Sequence, residues 1–250
     1  MSTKDKEPGT SVVAWREEMA KHATEVAQTE QVSGAFISFK GGVMTFNNQP
    51  IPNNRMSVVV LDYIFENTFY EGRYNPTALA SPACFAFARS DSELAPHKDS
   101  EKPQHAVCDG CARNQWGSDL EGRKGKACKN SRRLAFIHAD SLKDPTLIAK
   151  ADIAFAKLPV TSVRNWSNYA SQIASVLKMP PIGVVTQLAA VPDPKNQFQV
   201  TFSMVNPIAD DEILGALWAR KKAIADTWFT PYTKNQAVPT GAGAPAGGKF

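Results

Sequence analysis

A β-branched run decides the fold class of this chain: RMSVVVLDY, residues 55–63. Side chains that branch at Cβ pack well on a pleated, half-buried surface, so this run predicts a β-strand. The aromatic-rich residues 65–70 are a candidate extension of the same strand. A strand of this length needs partners, and the flanking sequence supplies several.

Further apolar or β-branched runs lie on both sides of it, separated by Gly, Pro or Asn. They predict strands over 35–39, 43–46, 83–87 and 133–138, and a hairpin of 184–191 with 197–204. Apolar residues at helical spacing predict helices over 11–29, 163–177 and 210–226. Because the strands come in runs and do not alternate with helices, the order argues against a parallel sheet. The predicted class is mainly β with helices (α+β), built on a small antiparallel barrel.

Composition excludes two broad classes of chain. Of the 250 residues, 43% are hydrophobic and 21% are charged, which is too apolar for a disordered protein. The apolar runs are strand-sized and bounded by polar residues, so we expect no membrane association. The first residues, MSTKDKEPGTS, lack the apolar stretch of a signal peptide, and we expect a cytoplasmic location.

The four cysteines lie close together in the sequence, at positions 84, 108, 111 and 128. A chain without a secretory signal rarely keeps structural disulfides, so clustered cysteines indicate a metal. Two residues between Cys108 and Cys111 allow both sulfurs to reach one ion, and Cys84 and Cys128 would close the tetrahedron of a structural Zn²⁺ site. His105 or His97 could replace Cys84 as the fourth ligand. An iron–sulfur cluster and no metal at all are the remaining alternatives.

A basic segment surrounds the last cysteines. Residues 113–133 hold seven Lys or Arg against two acids, although the whole chain has a net charge of only +4. Five of these cations are candidate phosphate contacts: Lys124, Lys126, Lys129, Arg132 and Arg133. Four further residues are candidate stacking contacts or neighbours of one: Tyr70, Arg73, Tyr74 and Trp116. The alternative is a solvated basic loop in which Trp116 covers the metal site.

Signals of catalysis are poor. The chain has no phosphate-binding glycine loop, no GxSxG, no HExxH and no His-x-Glu deaminase pair. Asp62 and Glu66 are one pair of acids in a strand-like segment, which does not make a nuclease site. We therefore expect a protein that is not an enzyme.

The cysteine element resembles one found in bacteriophage and prophage proteins. It consists of CDGCARNQWGS (residues 108–118), GKACK (125–129) and RRL (132–134), preceded by Cys84. The plan is also similar to that of the helix-destabilising proteins of T-even phages, in which an OB-fold barrel with a zinc-held insertion binds single-stranded DNA. The members of that family include a histidine among their zinc ligands and usually end in an acidic tail, whereas this chain ends in Lys249 and Phe250 after a Gly/Ala tract.

The resemblance implies an OB-like antiparallel barrel with a zinc-held insertion and flanking helices. The expected organisation is an N-terminal arm and helix (1–30), an OB-like domain with its insertion at 84–132 (31–226) and a disordered tail (227–250). The expected function is non-catalytic coating of single-stranded DNA in phage replication or recombination, in the host cytoplasm. Replication or recombination proteins and further copies of the chain are the candidate partners. The alternatives are a phage structural or assembly protein, and a zinc-ribbon regulator that binds duplex DNA or polymerase.

Overall fold

The computed structural model describes residues 15, 18–19, 35–72 and 81–225. The chain divides into two compact units, Met1–Gly34 and Ala35–Phe250. In the first unit, Trp15, Glu18 and Met19 are helical, and the rest of the predicted N-terminal helix lies outside the described residues. The predicted disordered tail (227–250) also lies outside them.

The second unit is a mixed α+β structure, as the sequence predicts. Its strands are β1 (Ala35–Ser38), β2 (Thr45–Phe46), β3 (Gln49–Pro50), β4 (Arg55–Phe69), β5 (Cys84–Ala88), β6 (Lys129–His138), β7 (Ala154–Lys157), β8 (Val184–Asp193) and β9 (Gln197–Pro207). Its helices are α1 (Pro145–Lys150), α2 (Val163–Leu177) and α3 (Asp211–Ala223). The sequence pattern did not reveal β3, β7 and α1, which have only two, four and six residues.

The strands form one sheet in the order β3-β2-β1-β7-β6-β4-β8-β9, and β5 pairs with β4 off this path. The central strand β4 has fifteen residues, which is long enough for two neighbours on one edge. Its first residues, 55–58, pair with β8, and its last residues, 65–69, pair with β5. The pair of β1 with β7 is parallel, whereas the other pairs are antiparallel, so the prediction of a wholly antiparallel sheet is wrong at that point.

The sheet curls into a half-barrel. The turn after β1 reaches β9, although these strands are far apart in the sheet order: a Cβ on Gly42 would lie 3.3 Å from Cβ of Phe198. Gly42 has a φ of +79°, which an L side chain rarely adopts, so the close approach and the backbone both favour glycine here. The two edge regions of the curled sheet therefore face each other across one core.

Two apolar cores cover the two faces of the sheet. On the concave face, Trp166, Tyr169 and Ile173 of α2 pack on residues such as Val60 and Leu134. On the other face, Ile213 and Leu217 of α3 pack on a second cluster with Ile148 of α1. Helical spacing had also placed Val176 on the buried face of α2, but its side chain is 69% exposed.

Candidate nucleic-acid interface

The cysteines do not form a metal site. None of them is in a disulfide, and all four line one small cavity of about 20 Å³ at the end of β4 and β5. Within residues 35–72 and 81–225, no group of three or more His, Cys, Asp or Glu side chains could hold a metal ion. The predicted structural Zn²⁺ at Cys84, Cys108, Cys111 and Cys128 is therefore wrong. The same finding contradicts the alternative zinc sites in which His97 or His105 replaces Cys84.

The physical reason is that these thiols serve as small apolar groups. Cys84 packs with Phe69 and Ala127, and Cys108 packs in a separate cluster with Leu94. Burial raises the pKa of Cys108, and it raises the pKa of Cys128 to about 12. In these clusters the thiols contribute apolar packing.

Backbone hydrogen bonds fix the insertion at 84–132, for which the sequence analysis expected a zinc ion. The Cys128 amide donates to the Arg113 carbonyl at 2.8 Å, and the Cys108 amide donates to the Leu94 carbonyl at 2.8 Å. The guanidinium of Arg113 lies over the Phe69 ring, 5.2 Å from its centre. The segment is thereby fixed to the end of β4, where it can present its side chains beside the sheet.

Strand alternation sends the two arginines of β6 to opposite faces. Arg132 pairs in register with Phe65, and Arg133 pairs with Ile64. Successive side chains of a strand point to opposite sides, so only Arg132 shares the concave face with Leu134 and α2. The structure therefore separates two residues that the sequence placed in one basic cluster.

Arg132 stacks on an aromatic ring of β4. Its guanidinium carbon lies 3.5 Å from the centre of the Phe65 ring, and its Nη1 donates to the Ser131 carbonyl at 2.9 Å. Arg132 forms no salt bridge within the described part of the chain. Burial lowers the pKa of its guanidinium, and the charge of Asp91 acts in the opposite direction. The Tyr63 ring follows at 6.4 Å from Phe65. All three side chains are half-buried, so they form an accessible aromatic and cationic strip.

The strip continues along β6 to Lys126 and Trp116. Lys126 Nζ donates to the amide oxygens of Asn130 (3.1 Å) and Asn114 (3.3 Å), and it lies 5.8 Å from the centre of the Trp116 ring. Asn130 precedes Arg132 by two residues, so the two share a face and lie about 7 Å apart along β6. Trp116 is 79% exposed, the highest value among the large apolar side chains that the structure describes.

Arg133 belongs instead to a buried ion cluster. Its Nε lies 3.1 Å from Glu66, and Lys157 Nζ lies 3.2 Å from the other oxygen of the same carboxylate. Burial would raise the pKa of Glu66, but the two cations outweigh it and hold that pKa below its ordinary value. Burial lowers the pKa of Lys157. This cluster stabilises the convex side of the sheet and leaves Arg133 little freedom to bind phosphate.

The remaining predicted contact residues are dispersed. Lys129 Nζ pairs with Asp119 at 3.3 Å, whereas Lys124 is exposed and forms no ion pair within the described residues. Tyr70 is half-buried, and burial together with the Glu66 charge raises the pKa of its phenol to about 12. Tyr70 directly follows β4, and the Glu66 charge acts on its phenol. Arg73 and Tyr74 lie outside the described residues.

The sequence assigns Tyr63 and Phe65 to the core, and both pack in part against buried clusters, but each also keeps an accessible part beside Arg132. Their spacing of two residues in a predicted strand carried a usable signal, because it places them on one face. The position of Arg132 opposite Phe65 could not be predicted, because it depends on the register between β4 and β6.

Comparison with protein-family models, with curated proteins and with solved structures gives no match to this chain. The helices in the described part of the chain are all too short or too polar to cross a membrane. The assignment of function therefore depends on the geometry of the strip itself.

Proposed function

We propose that the chain is a non-catalytic single-stranded DNA-binding protein, an OB-like barrel that coats and protects DNA in phage replication or recombination. The observation that carries this proposal is the Arg132 guanidinium stacked on Phe65 with no salt bridge in the described residues, although the Asp91 charge acts on it from beyond salt-bridge distance. We name the surface formed by Tyr63, Phe65, Arg132, Lys126 and Trp116 the β4–β6 strip. The phage setting comes from the resemblance of the cysteine element, and the chemistry comes from this strip.

The charges on the strip are available to a polyanion. Arg132 is bonded only to a backbone carbonyl, and Lys126 is bonded only to neutral amide oxygens. By contrast, carboxylates already neutralise Arg133 and Lys129. Phosphate binding by a free cation releases condensed counterions, which is the main source of affinity for nucleic acid. Exposed Lys124 adds a third such cation to the same segment.

The aromatic groups supply sites for bases. Tyr63 lies two residues from Phe65 on one strand, roughly 7 Å from the stacked Arg132–Phe65 pair, a separation that suits consecutive bases of an extended strand. The outer face of the Arg132 plane is a further stacking surface, since bases stack on guanidinium groups as well as on rings. Trp116 extends this series at the other end of the strip.

The same geometry favours a single strand over a duplex. Stacking on half-buried side chains requires an unpaired base, because in a duplex the base faces are covered by their neighbours. A protein that reads duplex DNA would instead present a helix or ribbon that fits a groove. The duplex-binding alternative was tied to a zinc ribbon, and its zinc site is absent from the described residues.

Fluorescence anisotropy of a labelled oligonucleotide tests the proposal directly. The oligonucleotide is offered as a single strand and then as a duplex of the same sequence, at low salt. We expect the single strand to bind at least about tenfold more tightly, the equivalent of one stacked base. Equal or stronger binding of the duplex would reject a single-strand groove. If the folded protein binds neither form, the alternative of a phage structural or assembly protein would be favoured.

A further inference from the structure

The outer edge of β9 is protected over only part of its length. The Val200 amide donates to Ser162 Oγ at 2.9 Å, and the Val200 carbonyl accepts from Asn165 Nδ2 at 3.0 Å. Both groups of Val200 are therefore directed away from β8 and are satisfied by the start of α2. In a strand, every second residue has its backbone groups on the same edge, so those of Phe202 and Met204 are also directed outward.

Beyond Val200 the edge is open. Residues 203–207 are all exposed, and within the described chain no hydrogen bond satisfies the outward backbone groups of Phe202 and Met204. Apolar side chains adjoin this edge: Met204 is 44% exposed and Val176 of α2 is 69% exposed. Both line one groove with Leu177 and Phe202. An exposed strand edge beside an apolar groove is a template for a further strand.

This surface is nearly free of charge. β9 has no charged residue in its eleven positions, and α2 has only Arg164. Proteins usually protect an exposed edge strand with Lys or another charge, and β9 lacks this protection until Pro207. Two copies of a chain with a net charge of +4 repel each other unless they meet through a neutral face. Residues 202–206 provide such a face.

We propose that this edge pairs with the same edge of a second copy of the chain, so that β9 meets β9 in antiparallel orientation about a two-fold axis near Ser203. Phe202 of each copy then lies opposite Met204 of the other, and the bulge at Val205 ends the regular edge beyond them. An antiparallel pair of identical strands is self-complementary, which is the requirement for an isologous dimer. Because β9 carries no charged residue, no like charges are brought together across the axis. Pro207 lacks an amide proton and therefore ends the ladder.

The expected association is weak, because only residues 202–206 of each copy contribute backbone bonds. Stable dimers usually bury about 800 Å² on each partner, and a short edge with one groove provides less. We therefore expect a dimer in the micromolar range of dissociation constants. The inference goes beyond DNA binding and needs neither the β4–β6 strip nor a ligand.

Sedimentation velocity of the full chain without DNA, over a range of concentrations, tests this pairing. Met204→Lys places two charges close together on either side of the axis, and we expect it to raise the dimer dissociation constant at least about tenfold. Leu147→Lys is the matched control, since Leu147 on α1 is 45% exposed and the same charge is added away from β9. It should leave the dimer unchanged. Val205→Lys is the second variant if Met204→Lys fails to fold by circular dichroism.

Hydrogen exchange distinguishes strand pairing from side-chain contact. In the dimer, the Phe202 and Met204 amides should exchange more slowly as concentration rises, and in Met204→Lys this dependence should disappear. A wild-type chain that stays monomeric up to several hundred micromolar would overturn the inference. So would a dimer that Met204→Lys and Leu147→Lys weaken equally, or one in which both amides exchange freely.

Discussion

The guanidinium of Arg132 covers the ring of Phe65, whereas the guanidinium of its neighbour Arg133 is bound to the buried carboxylate of Glu66. One peptide bond separates a cation that forms no salt bridge within the described residues from one that a buried carboxylate neutralises. The cause is strand alternation, because β6 gives one arginine to each face of the sheet. Arg132 is therefore available to a phosphate group, whereas Arg133 is held by Glu66.

Replacement of Arg132 by Ala should weaken single-stranded DNA binding with little effect on stability. The change removes one phosphate contact and one stacking plane, so we expect about a tenfold loss of affinity and a salt slope smaller by about one unit. Anisotropy titrations measure both quantities. The matched control is Arg55→Ala, an exposed arginine roughly 33 Å away along β4. If both variants lose the same affinity, Arg132 has no specific role.

Trp116 should report binding through its fluorescence, and Trp218 should not. Both indoles are exposed, to 79% and 46%, but only Trp116 lies beside Lys126 on the β4–β6 strip. We expect Trp116→Ala to lose most of the quenching caused by single-stranded DNA and about 1–3 kcal/mol of binding free energy. Trp218→Ala should keep both. Unchanged quenching and affinity in Trp116→Ala would remove this residue from the interface.

Glu66 should make the stability of the fold sensitive to acid. Its pKa in the folded protein lies below its ordinary value, so its contribution is complete above the unfolded pKa and is lost as the pH falls through the folded pKa. Glu66→Gln removes the Glu66 carboxylate from Arg133 and Lys157, and we expect a loss of about 3 kcal/mol at neutral pH.

Urea unfolding of wild type and Glu66→Gln at several pH values tests this. The difference between the two should shrink as the pH falls below the ordinary range of a carboxyl group. Glu71→Gln is the control, because its exposed pair with Lys102 contributes about 0–1 kcal/mol at most. A difference between wild type and Glu66→Gln that is independent of pH would contradict the ion cluster.

The cysteines should react slowly in the native protein. Burial raises the pKa of Cys108 and of Cys128, so their thiols are protonated at neutral and mildly alkaline pH. We expect all four thiols to react with a disulfide reagent in denaturant and few or none in buffer. Added zinc should change neither the labelling nor the melting temperature. Stoichiometric zinc in the purified protein would contradict the absence of a metal-binding group.

Much of the fold could be predicted from local patterns. The β4 run, the β8–β9 hairpin and the apolar face of α2 each carry their own periodicity, and all appear in the structure. The β1–β7 pair could not be predicted, because β7 has four residues and its partner is more than a hundred positions away.

The candidate site shows the same division. Basic residues and Trp116 could be recognised from composition, but their partners could not. Asp119 neutralises Lys129 from ten residues away, and Glu66 neutralises Arg133 from another strand. The spacing of the cysteines favoured a metal, whereas their burial in two apolar clusters is a property of the tertiary structure. Residue types thus indicated cations for phosphate binding and thiols for metal binding. The tertiary packing determines which of these groups are available.

The salt dependence of binding tests most directly whether the β4–β6 strip binds single-stranded DNA. Three free cations, Lys124, Lys126 and Arg132, predict a straight line of log affinity against log salt with a slope of about −2. Stacking on the β4–β6 strip predicts that measurable affinity remains when the line is extrapolated to high salt. If the folded protein does not bind the oligonucleotide at low salt, the β4–β6 strip is not a site for single-stranded DNA.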